Sequence, residues 1–173
     1  MEELDASGNT PISAPEPLGS AHDVAAFDCG ENILNDWLKH RATRNEGRFS
    51  RTYVVAAAGR VVGYYCISSG AVERAAVPGN IRRNAPDVIP VAVLGRLAVD
   101  RQFAGKGLGA DLLADALKRI AAAADAIGMA AVLVHAKDDR AKAFYRACAE
   151  FSEFPADSRT LFLAIDTVRK ALA

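Results

Sequence analysis

The sequence predicts a mixed α/β fold, and three observations support this class. Apolar segments on both sides of Gly59-Arg60 predict an antiparallel hairpin. A long amphipathic segment, from about Gly107 to Ile127, lies between the apolar segments Val91–Asp100 and Ala131–His135. A strand–helix–strand order of this kind implies a locally parallel pair of strands.

The first half of the chain predicts two helices and three strands. A short edge strand over residues 12–14 is bounded by prolines. A capped short helix begins near Ser20 and ends near Gly30. The next helix has apolar side chains at 33, 34, 37 and 38, which lie on one face. The other predicted segments here are the hairpin strands, 52–58 and 61–69, and an irregular connector with prolines, 70–90.

The second half begins with the strand 91–100, which has few polar residues and is therefore expected at the centre of the sheet. The long helix buries an apolar face and ends before Gly128. After the strand 131–135, Asp138 or Asp139 is expected to cap another helix. Two short strands, 151–154 and 160–165, complete the predicted elements.

The totals indicate one domain and exclude several classes of protein. Residues 1–10 resemble a disordered acidic tail, so the domain is expected over 11–173. The 21 basic and 21 acidic residues cancel, so net charge does not indicate nucleic-acid binding. Three cysteines without metal-ligand spacing favour a reducing compartment. The chain has no apolar run of membrane-spanning length and no signal peptide, so we expect it in the cytoplasm.

The segment 102–109 predicts a site for a phosphate or pyrophosphate. Its glycines let a ligand approach the backbone, and the first amides of the following helix would face that ligand. A kinase-type P-loop is disfavoured because Gly107, rather than Ser or Thr, follows Lys106. Gly105-x-Gly107-x-x-Ala110 matches the dinucleotide fingerprint, but too few strand–helix units follow it. A glycine-rich turn without a ligand also stays open.

Two motifs are similar to those of one enzyme family. Gln102-x-x-Gly105-x-Gly107 resembles the acyl-CoA loop of the Gcn5-related N-acetyltransferase (GNAT) superfamily, and Ala141-x-x-Phe144-Tyr145 follows at the expected place. The resemblance covers roughly residues 10 to 166. It implies the GNAT fold, a mixed and mostly antiparallel sheet of about six to seven strands, splayed at the central parallel pair and flanked by about four helices.

Further blocks resemble one subfamily, the toxins of type II toxin–antitoxin systems that acetylate aminoacyl-tRNA. The match depends on several blocks occurring in the same order along the chain. These blocks are Phe27-Asp28-Cys29-Gly30, Ser50-Arg51-Thr52, Gly63-Tyr64-Tyr65, Arg82-Arg83-Asn84-x-Pro86-Asp87-x-Ile89-Pro90-Val91 and Leu94-Gly95-Arg96-Leu97-Ala98-Val99-Asp100.

The resemblance implies acetyl-CoA as co-substrate and no metal. The pyrophosphate would lie on the backbone amides of 103–109, and the pantetheine arm would pair with the backbone of Leu97 and Val99. Lys106 either reaches a phosphate or is simply solvated. The implied cofactor-binding residues are Leu97, Ala98, Val99, Gln102, Phe103, Ala104, Gly105, Lys106, Gly107, Leu108 and Gly109.

Tyr145 is the implied catalytic residue. When an amine attacks the thioester, the departing CoA thiolate needs stabilisation. Free tyrosine and free thiol have pKa values near 10 and 8.5, so a hydrogen bond to the developing charge is more plausible than full proton transfer. The alternative is a core tyrosine beside Phe144. Relatives usually have Gly-Phe after three further residues, whereas this chain has no glycine before Phe151, so the end of this helix and the entry to the next strand are expected to differ locally.

The sequence offers no obvious general base. The strand Val91–Val99 has no carboxylate, and His22, His40 and His135 are each expected to be structural. An α-amine, with a pKa near 7.7 to 8.0, is partly neutral at pH 7, whereas a lysine amine is almost wholly charged. The missing base therefore favours an α-amine acceptor such as aminoacyl-tRNA.

Arginines are concentrated between His40 and Arg60, where Glu46 is the one acidic residue. If they share a face, a tRNA acceptor stem could bind there. The alternative is a set of scattered, solvated arginines. The implied tRNA-binding residues are Arg41, Arg44, Arg48, Arg51, Arg82 and Arg83.

The sequence thus predicts an acetyl-CoA-dependent toxin that acetylates the α-amine of charged tRNA and blocks translation. The resemblance also implies an antitoxin with a ribbon-helix-helix domain and a homodimer. Two alternatives stay open, a GNAT enzyme acting on a small-molecule or protein amine, and a non-catalytic acyl-CoA-binding or partner-binding module.

Overall fold

The computed structural model describes residues 10–173, with seven strands and six α-helices in this part of the chain. The predicted acidic tail, 1–10, lies outside the described residues except for Thr10. The strands are β1 (Glu16–Pro17), β2 (Arg51–Ala57), β3 (Arg60–Glu73), β4 (Val88–Val99), β5 (Ala131–His135), β6 (Ser152–Phe154) and β7 (Asp157–Ala164), and the helices are α1 (Asn32–His40), α2 (Ala42–Asn45), α3 (Gly79–Arg82), α4 (Leu108–Ala126), α5 (Asp139–Cys148) and α6 (Ile165–Leu172).

The strands form one sheet with the order β1-β2-β3-β4-β5-β7-β6. β4 and β5 are parallel, with Val91 opposite Ala131 and Leu94 opposite Val134. β1 pairs antiparallel with β2, and β7 pairs antiparallel with both β5 and β6. The predicted α/β class and its parallel pair are therefore confirmed.

The chain divides into two compact units, and the first contains the described residues up to Cys66 together with Arg96–Leu113. Its core includes Phe27, Trp37 and Tyr64. The Tyr64 ring stacks on Trp37 at 5.9 Å between centroids, and its hydroxyl donates to the carbonyl oxygen of Leu34 at 2.8 Å. Of the apolar face predicted for α1, Ile33 is 80% exposed and so does not belong to this core.

The second unit contains Ile67–Gly95 and Ala114–Ala173. Part of its core consists of apolar residues from β4, β5 and the last two strands, among them Ile89, Leu133 and Phe162. The sequence prediction omitted α6, whose residues Ile165 and Val168 are buried. No helix within residues 10–173 is both long and apolar enough to cross a membrane.

The helix predicted from Ser20 to Gly30 is wrong. Asp23 instead bonds through its backbone to the hairpin, because its amide donates to Gly59 O at 2.8 Å and its carbonyl accepts from Val61 N at 2.8 Å. These bonds replace the hydrogen bonds that a helix would need. Its carboxylate accepts from the Ala25 amide at 2.9 Å, which produces a local turn rather than a cap.

Two other boundaries also differ from the prediction. The edge strand lies at β1 rather than at 12–14, where only Ile12 forms an isolated bridge, with Ala57. The predicted connector over 70–90 is shorter, because β3 extends to Glu73 and β4 begins at Val88. The remainder contains a 3-10 turn, Arg74–Ala76, and the one-turn helix α3.

Candidate active site

Two glycines of the loop between β4 and α4 have a left-handed backbone conformation. Gly105 and Gly107 have φ values of +77° and +83°, a region that side chains disfavour. A Cβ atom at either position would meet no heavy atom within 4 Å. The glycines are therefore required by backbone conformation, and the space beside them stays open.

The loop presents free amide donors at the start of α4. Within the described residues, the backbone N–H groups from Gly105 to Ala110 have no acceptor in this chain, whereas Phe103 N and Ala104 N donate to Asp100 O and Arg101 O at 2.9 and 3.4 Å. The Asp111 amide donates back to Gly107 O at 3.1 Å, which begins the helix. Free amides at a helix N-terminus bind anions, because the helix dipole adds to their hydrogen bonds.

Asp100 fixes the start of the loop. Its side chain is 2% exposed, and its carboxylate accepts from Gln102 N at 2.9 Å, from Asp28 N at 3.1 Å and from Arg60 Nη2 at 3.3 Å. Arg60 Nη2 also donates to Gln102 Oε1 at 3.2 Å. Sequence reasoning missed this role of Asp100, although its place directly before the loop was a usable signal.

Asp28 ties a second segment to the loop. Its carboxylate accepts from Gly30 N and Asn35 Nδ2 and forms an ion pair with Arg101. The hydrogen bond from the Gly30 amide is the largest of several causes that lower the pKa of this carboxyl below its ordinary value of 3.8. The hydrogen bond from Asn35 and the contact with Arg101 lower this pKa further. Arg101 N also donates to Asp28 O at 2.9 Å, so both backbone and side chains hold this contact.

Tyr145 lies on α5, which begins at the cap predicted for it, since Asp138 Oδ1 accepts from Ala141 N at 2.8 Å. The ring is 8% exposed and packs edge-on against Phe144 at 5.2 Å and Phe151 at 5.9 Å. A catalytic tyrosine and a core tyrosine would both show this ring packing, so the role of Tyr145 stays a prediction.

The missing glycine after Tyr145 is accommodated by an extended residue. Ala149 has φ −155° and ψ 168°, a conformation open to any residue, and its amide donates to Tyr145 O at 3.1 Å. A turn follows, in which the Phe151 amide donates a hydrogen bond to Ala149 O at 2.8 Å. The helix therefore ends without a left-handed residue, and Phe151 still reaches the Tyr145 ring.

The structure divides the predicted tRNA-binding arginines between the two units. Arg41, Arg44, Arg48 and Arg51 are all exposed and lie on consecutive segments of the first unit, from the end of α1 to the start of β2. Arg82 and Arg83 are exposed in the second unit, at and after the end of α3. The predicted cofactor residues 97–109 all belong to the first unit, and Tyr145 to the second.

A cavity of about 440 Å³ in the first unit lies between α1 and the end of β4. Its lining includes Trp37 and Arg96, whose guanidinium carbon lies 4.4 Å from the centroid of the Trp37 ring. Arg96 Nη1 also lies 4.0 Å from Cys66 Sγ. The sequence analysis assigned no role to Arg96, which here covers one face of the tryptophan and adds positive charge to the cavity.

The three cysteines, which all lie within the described residues, form no disulfide. Burial raises the pKa of the Cys66 thiol above its ordinary value. Among the described residues, no group of three or more histidine, cysteine, aspartate or glutamate side chains could hold a metal ion.

Comparison with known sequences identifies a family and a relative. The sequence model of the Acetyltransferase (GNAT) family matches residues 20–150 of this chain. A protein of Mycobacterium tuberculosis (strain ATCC 25618 / H37Rv), named tRNA-acetylating toxin, is 47% identical over 158 residues. That match covers 91% of this chain and 95% of the relative.

Solved structures of two proteins, KacT and AtaT, are similar to this one. A tyrosine-to-phenylalanine mutant of KacT gives a TM-score of 0.86 at 29% identity and covers 92% of this chain and 98% of its own. AtaT complexed with acetyl-methionyl-tRNAfMet gives a TM-score of 0.85 at 29% identity, and the match covers 94% of this chain and 100% of the AtaT chain. A mutant AtaT bound to the C-terminus of the antitoxin AtaR and to acetyl-CoA gives a TM-score of 0.79 at 27% identity, and the match covers 94% of this chain and 98% of the AtaT chain.

Proposed function

Because the chain belongs to the acetyltransferase (GNAT) family, we propose that it transfers the acetyl group of acetyl-CoA to the α-amine of aminoacyl-tRNA and thereby blocks translation. The observation that supports this substrate most strongly is the 47% identity, across 91% of the chain, to a relative named tRNA-acetylating toxin. AtaT, the neighbour solved with acetyl-methionyl-tRNA, supports the same substrate class.

The free amides from Gly105 to Ala110 are proposed to bind the pyrophosphate of acetyl-CoA. Phe103 and Ala104 already donate within the chain, so we expect them to shape the loop instead. The pantetheine arm is expected to pair with the backbone of Leu97 and Val99. The pairing of β4 with β5 covers Val91 to Leu94 and ends before these two residues, which supports this placement.

Tyr145 is proposed to donate a hydrogen bond to the thiolate of CoA as the acetyl group leaves. The amine nitrogen forms a bond to the acetyl carbon, the carbon–sulfur bond breaks, and the amine proton passes to solvent or to the departing sulfur. The sulfur, as thiolate or thiol, leaves with CoA. Packing against Phe144 and Phe151 fixes the ring, so that its hydroxyl is positioned before the reaction begins.

The exposed arginines are proposed to bind tRNA phosphates. Within residues 10–173, Arg41, Arg44 and Arg48 form no ion pair with a carboxylate of the chain, so their charge is available to a polyanion. Arg82 and Arg83 are proposed to contribute from the second unit.

The same function implies two protein partners and a location. We propose that the chain forms a homodimer, that an antitoxin with a ribbon-helix-helix domain neutralises it, and that it acts in the cytoplasm, where charged tRNA is used. The neighbour AtaT was solved with the C-terminus of the antitoxin AtaR, which supports an antitoxin as a partner of this chain.

The proposal is tested by incubating the purified protein with labelled acetyl-CoA and either charged tRNA or a panel of polyamines and peptides. We expect label on the aminoacyl group of tRNA. Tyr145→Phe should lower the rate by about 10²–10³-fold, the usual effect of removing one positioned hydrogen-bond donor. Calorimetry with CoA should give the same affinity for this variant, and the protein should no longer arrest growth when expressed.

Tyr64→Phe is the matched control because it also removes one hydroxyl from a buried ring. Tyr64 donates to Leu34 O, so its loss should lower the free energy of unfolding by about 0.5–1.5 kcal/mol and leave the rate nearly unchanged. Label on polyamines or peptides in preference to charged tRNA would contradict the proposed substrate. An unchanged rate for Tyr145→Phe would contradict the proposed role of the tyrosine.

A further inference from the structure

One exposed aromatic residue has no role in the function described so far. Phe49 is 69% exposed in the turn between α2 and β2. The guanidinium carbon of Arg48 lies 5.7 Å from the centroid of its ring. This contact leaves most of the ring in solvent, although phenylalanine is usually buried.

Hydrogen bonds order the backbone of the turn that carries Phe49. The amides of Arg48, Phe49 and Ser50 all donate to Asn45 O, at 3.1, 3.0 and 3.2 Å. Gly47, with φ +76°, closes the turn by donating to Ser50 O at 3.0 Å. The ring is therefore displayed by an ordered backbone, so a partner could bind it without first ordering the loop.

The charge around Phe49 is positive. Arg44 and Arg48 are exposed and form no ion pair within residues 10–173. Glu46, the one carboxylate nearby in sequence, accepts from Thr52 N at 2.8 Å and from Arg51 Nη1 at 3.4 Å. Its charge is thus satisfied by this chain, and the surface beside the ring favours an anionic partner.

We propose that Phe49 stacks on an unpaired base at the single-stranded acceptor end of tRNA, while Arg44 and Arg48 bind the flanking phosphates. The identity of this nucleic acid rests on the function proposed above, whereas stacking itself rests on the geometry of the turn. An aromatic ring beside arginines suits single strands, because their bases expose a flat face. The bases of a duplex hide this face, so a paired stem is not expected to bind Phe49.

The proposal is tested with labelled oligonucleotides and fluorescence anisotropy. We compare Phe49→Ala and Phe49→Trp with the wild type, using a single strand of tRNA acceptor-end sequence and a blunt RNA duplex of the acceptor stem. Phe49→Ala should weaken binding of the single strand by about 5- to 150-fold, and Phe49→Trp should retain it. Neither variant should change binding of the duplex.

Ile127→Ala is the matched control, since Ile127 is another apolar side chain, 62% exposed, but lies in the second unit after α4. It should bind both oligonucleotides like the wild type. In the acetylation assay, Phe49→Ala should raise KM for charged tRNA and leave kcat unchanged, because the ring acts in binding. Thermal unfolding of Phe49→Ala should match the wild type, since the lost side chain is exposed.

Two results would overturn the proposal. They are unchanged single-strand binding by Phe49→Ala and an equal loss of binding for the blunt duplex. The oligonucleotide assay needs no catalysis, so the two proposals fail separately. If the wild type acetylates charged tRNA and Phe49→Ala behaves identically, only this inference fails. If charged tRNA is not acetylated but single-strand binding depends on Phe49, only the proposed function fails.

Discussion

At the scale of single residues, Asp100 has the largest predicted effect on the glycine loop. Its buried carboxylate accepts from two amides and from Arg60, so all three donors lose charged partners in Asp100→Asn. Because hydrogen bonds to charged groups contribute about 1.5–3 kcal/mol, we expect a loss of that size in the free energy of unfolding, measured by urea denaturation at pH 7. Calorimetry should also show weaker binding of acetyl-CoA.

The control for Asp100 is Asp87→Asn. Asp87 is 94% exposed and pairs with Arg74 at 3.6 Å, so its replacement should change the free energy of unfolding by less than about 1 kcal/mol. If both variants lose the same stability, the buried hydrogen bonds of Asp100 do not hold the loop as described.

Asp28 gives a pH-dependent prediction at the same scale. Its hydrogen bonds, with the Gly30 amide first, lower its pKa in the folded protein below 3.8. Its stabilising effect is therefore fully present above the unfolded pKa and is lost as the pH falls through the lower, folded pKa. A carboxyl NMR titration should give a midpoint below 3.8 for Asp28, and Asn35→Ala should move that midpoint upward. A midpoint at or above 3.8 would contradict the assigned hydrogen bonds.

At the scale of elements, two glycines that flank α4, Gly107 and Gly128, allow the effect of a positive φ to be tested by itself. A Cβ at Gly107 meets no atom, so Gly107→Ala should act through its positive φ alone and destabilise the loop by about 1–2 kcal/mol. Calorimetry should then show weaker binding of CoA. Gly128→Ala, also in open space but without a positive φ, should leave CoA binding unchanged. Equal CoA affinity for both variants would contradict the proposed pyrophosphate site.

The elements also show which features the sequence could predict. The spans of α4 and β5 follow from periodicity and an apolar run, because a single buried face or a buried strand determines each of them. The helix at Ser20 was wrong because Asp23 bonds to Gly59 and Val61, which are distant in sequence. A capping residue and a pairing residue have the same local pattern, and only the long-range contact distinguishes them.

In the candidate site too, local features could be predicted from the sequence and long-range contacts could not. A glycine loop that a ligand can approach could be predicted before α4, since this pattern requires few long-range contacts, whereas the positive φ of Gly105 and Gly107 was not predicted. The partners of Asp100 could not, because Asp28 and Arg60 precede it by 72 and 40 positions. Phe49 was overlooked because exposure of an aromatic residue depends on the turn that displays it.

At the scale of the whole molecule, a net charge of zero conceals an uneven distribution. The 21 basic residues equal the 21 acidic ones, yet Arg41, Arg44 and Arg48 have no carboxylate partner within residues 10–173. Several other arginines are paired, as Arg169 is with Asp125 and Asp166. A polyanion should therefore interact with local groups of arginines rather than with the average field of the protein.

This distribution predicts a local salt dependence. For charged tRNA, log kcat/KM should fall linearly with log salt concentration, whereas a small amine acceptor should show little change. Each arginine that contacts a phosphate should reduce the slope by about 0.7–0.9 when replaced by alanine. We expect this for Arg44→Ala and Arg82→Ala, which lie in different units, but not for the paired Arg169→Ala. A reduced slope for Arg44→Ala alone would confine the tRNA-binding surface to the first unit, and wild-type slopes for both Arg44→Ala and Arg82→Ala would exclude phosphate contacts by these two arginines.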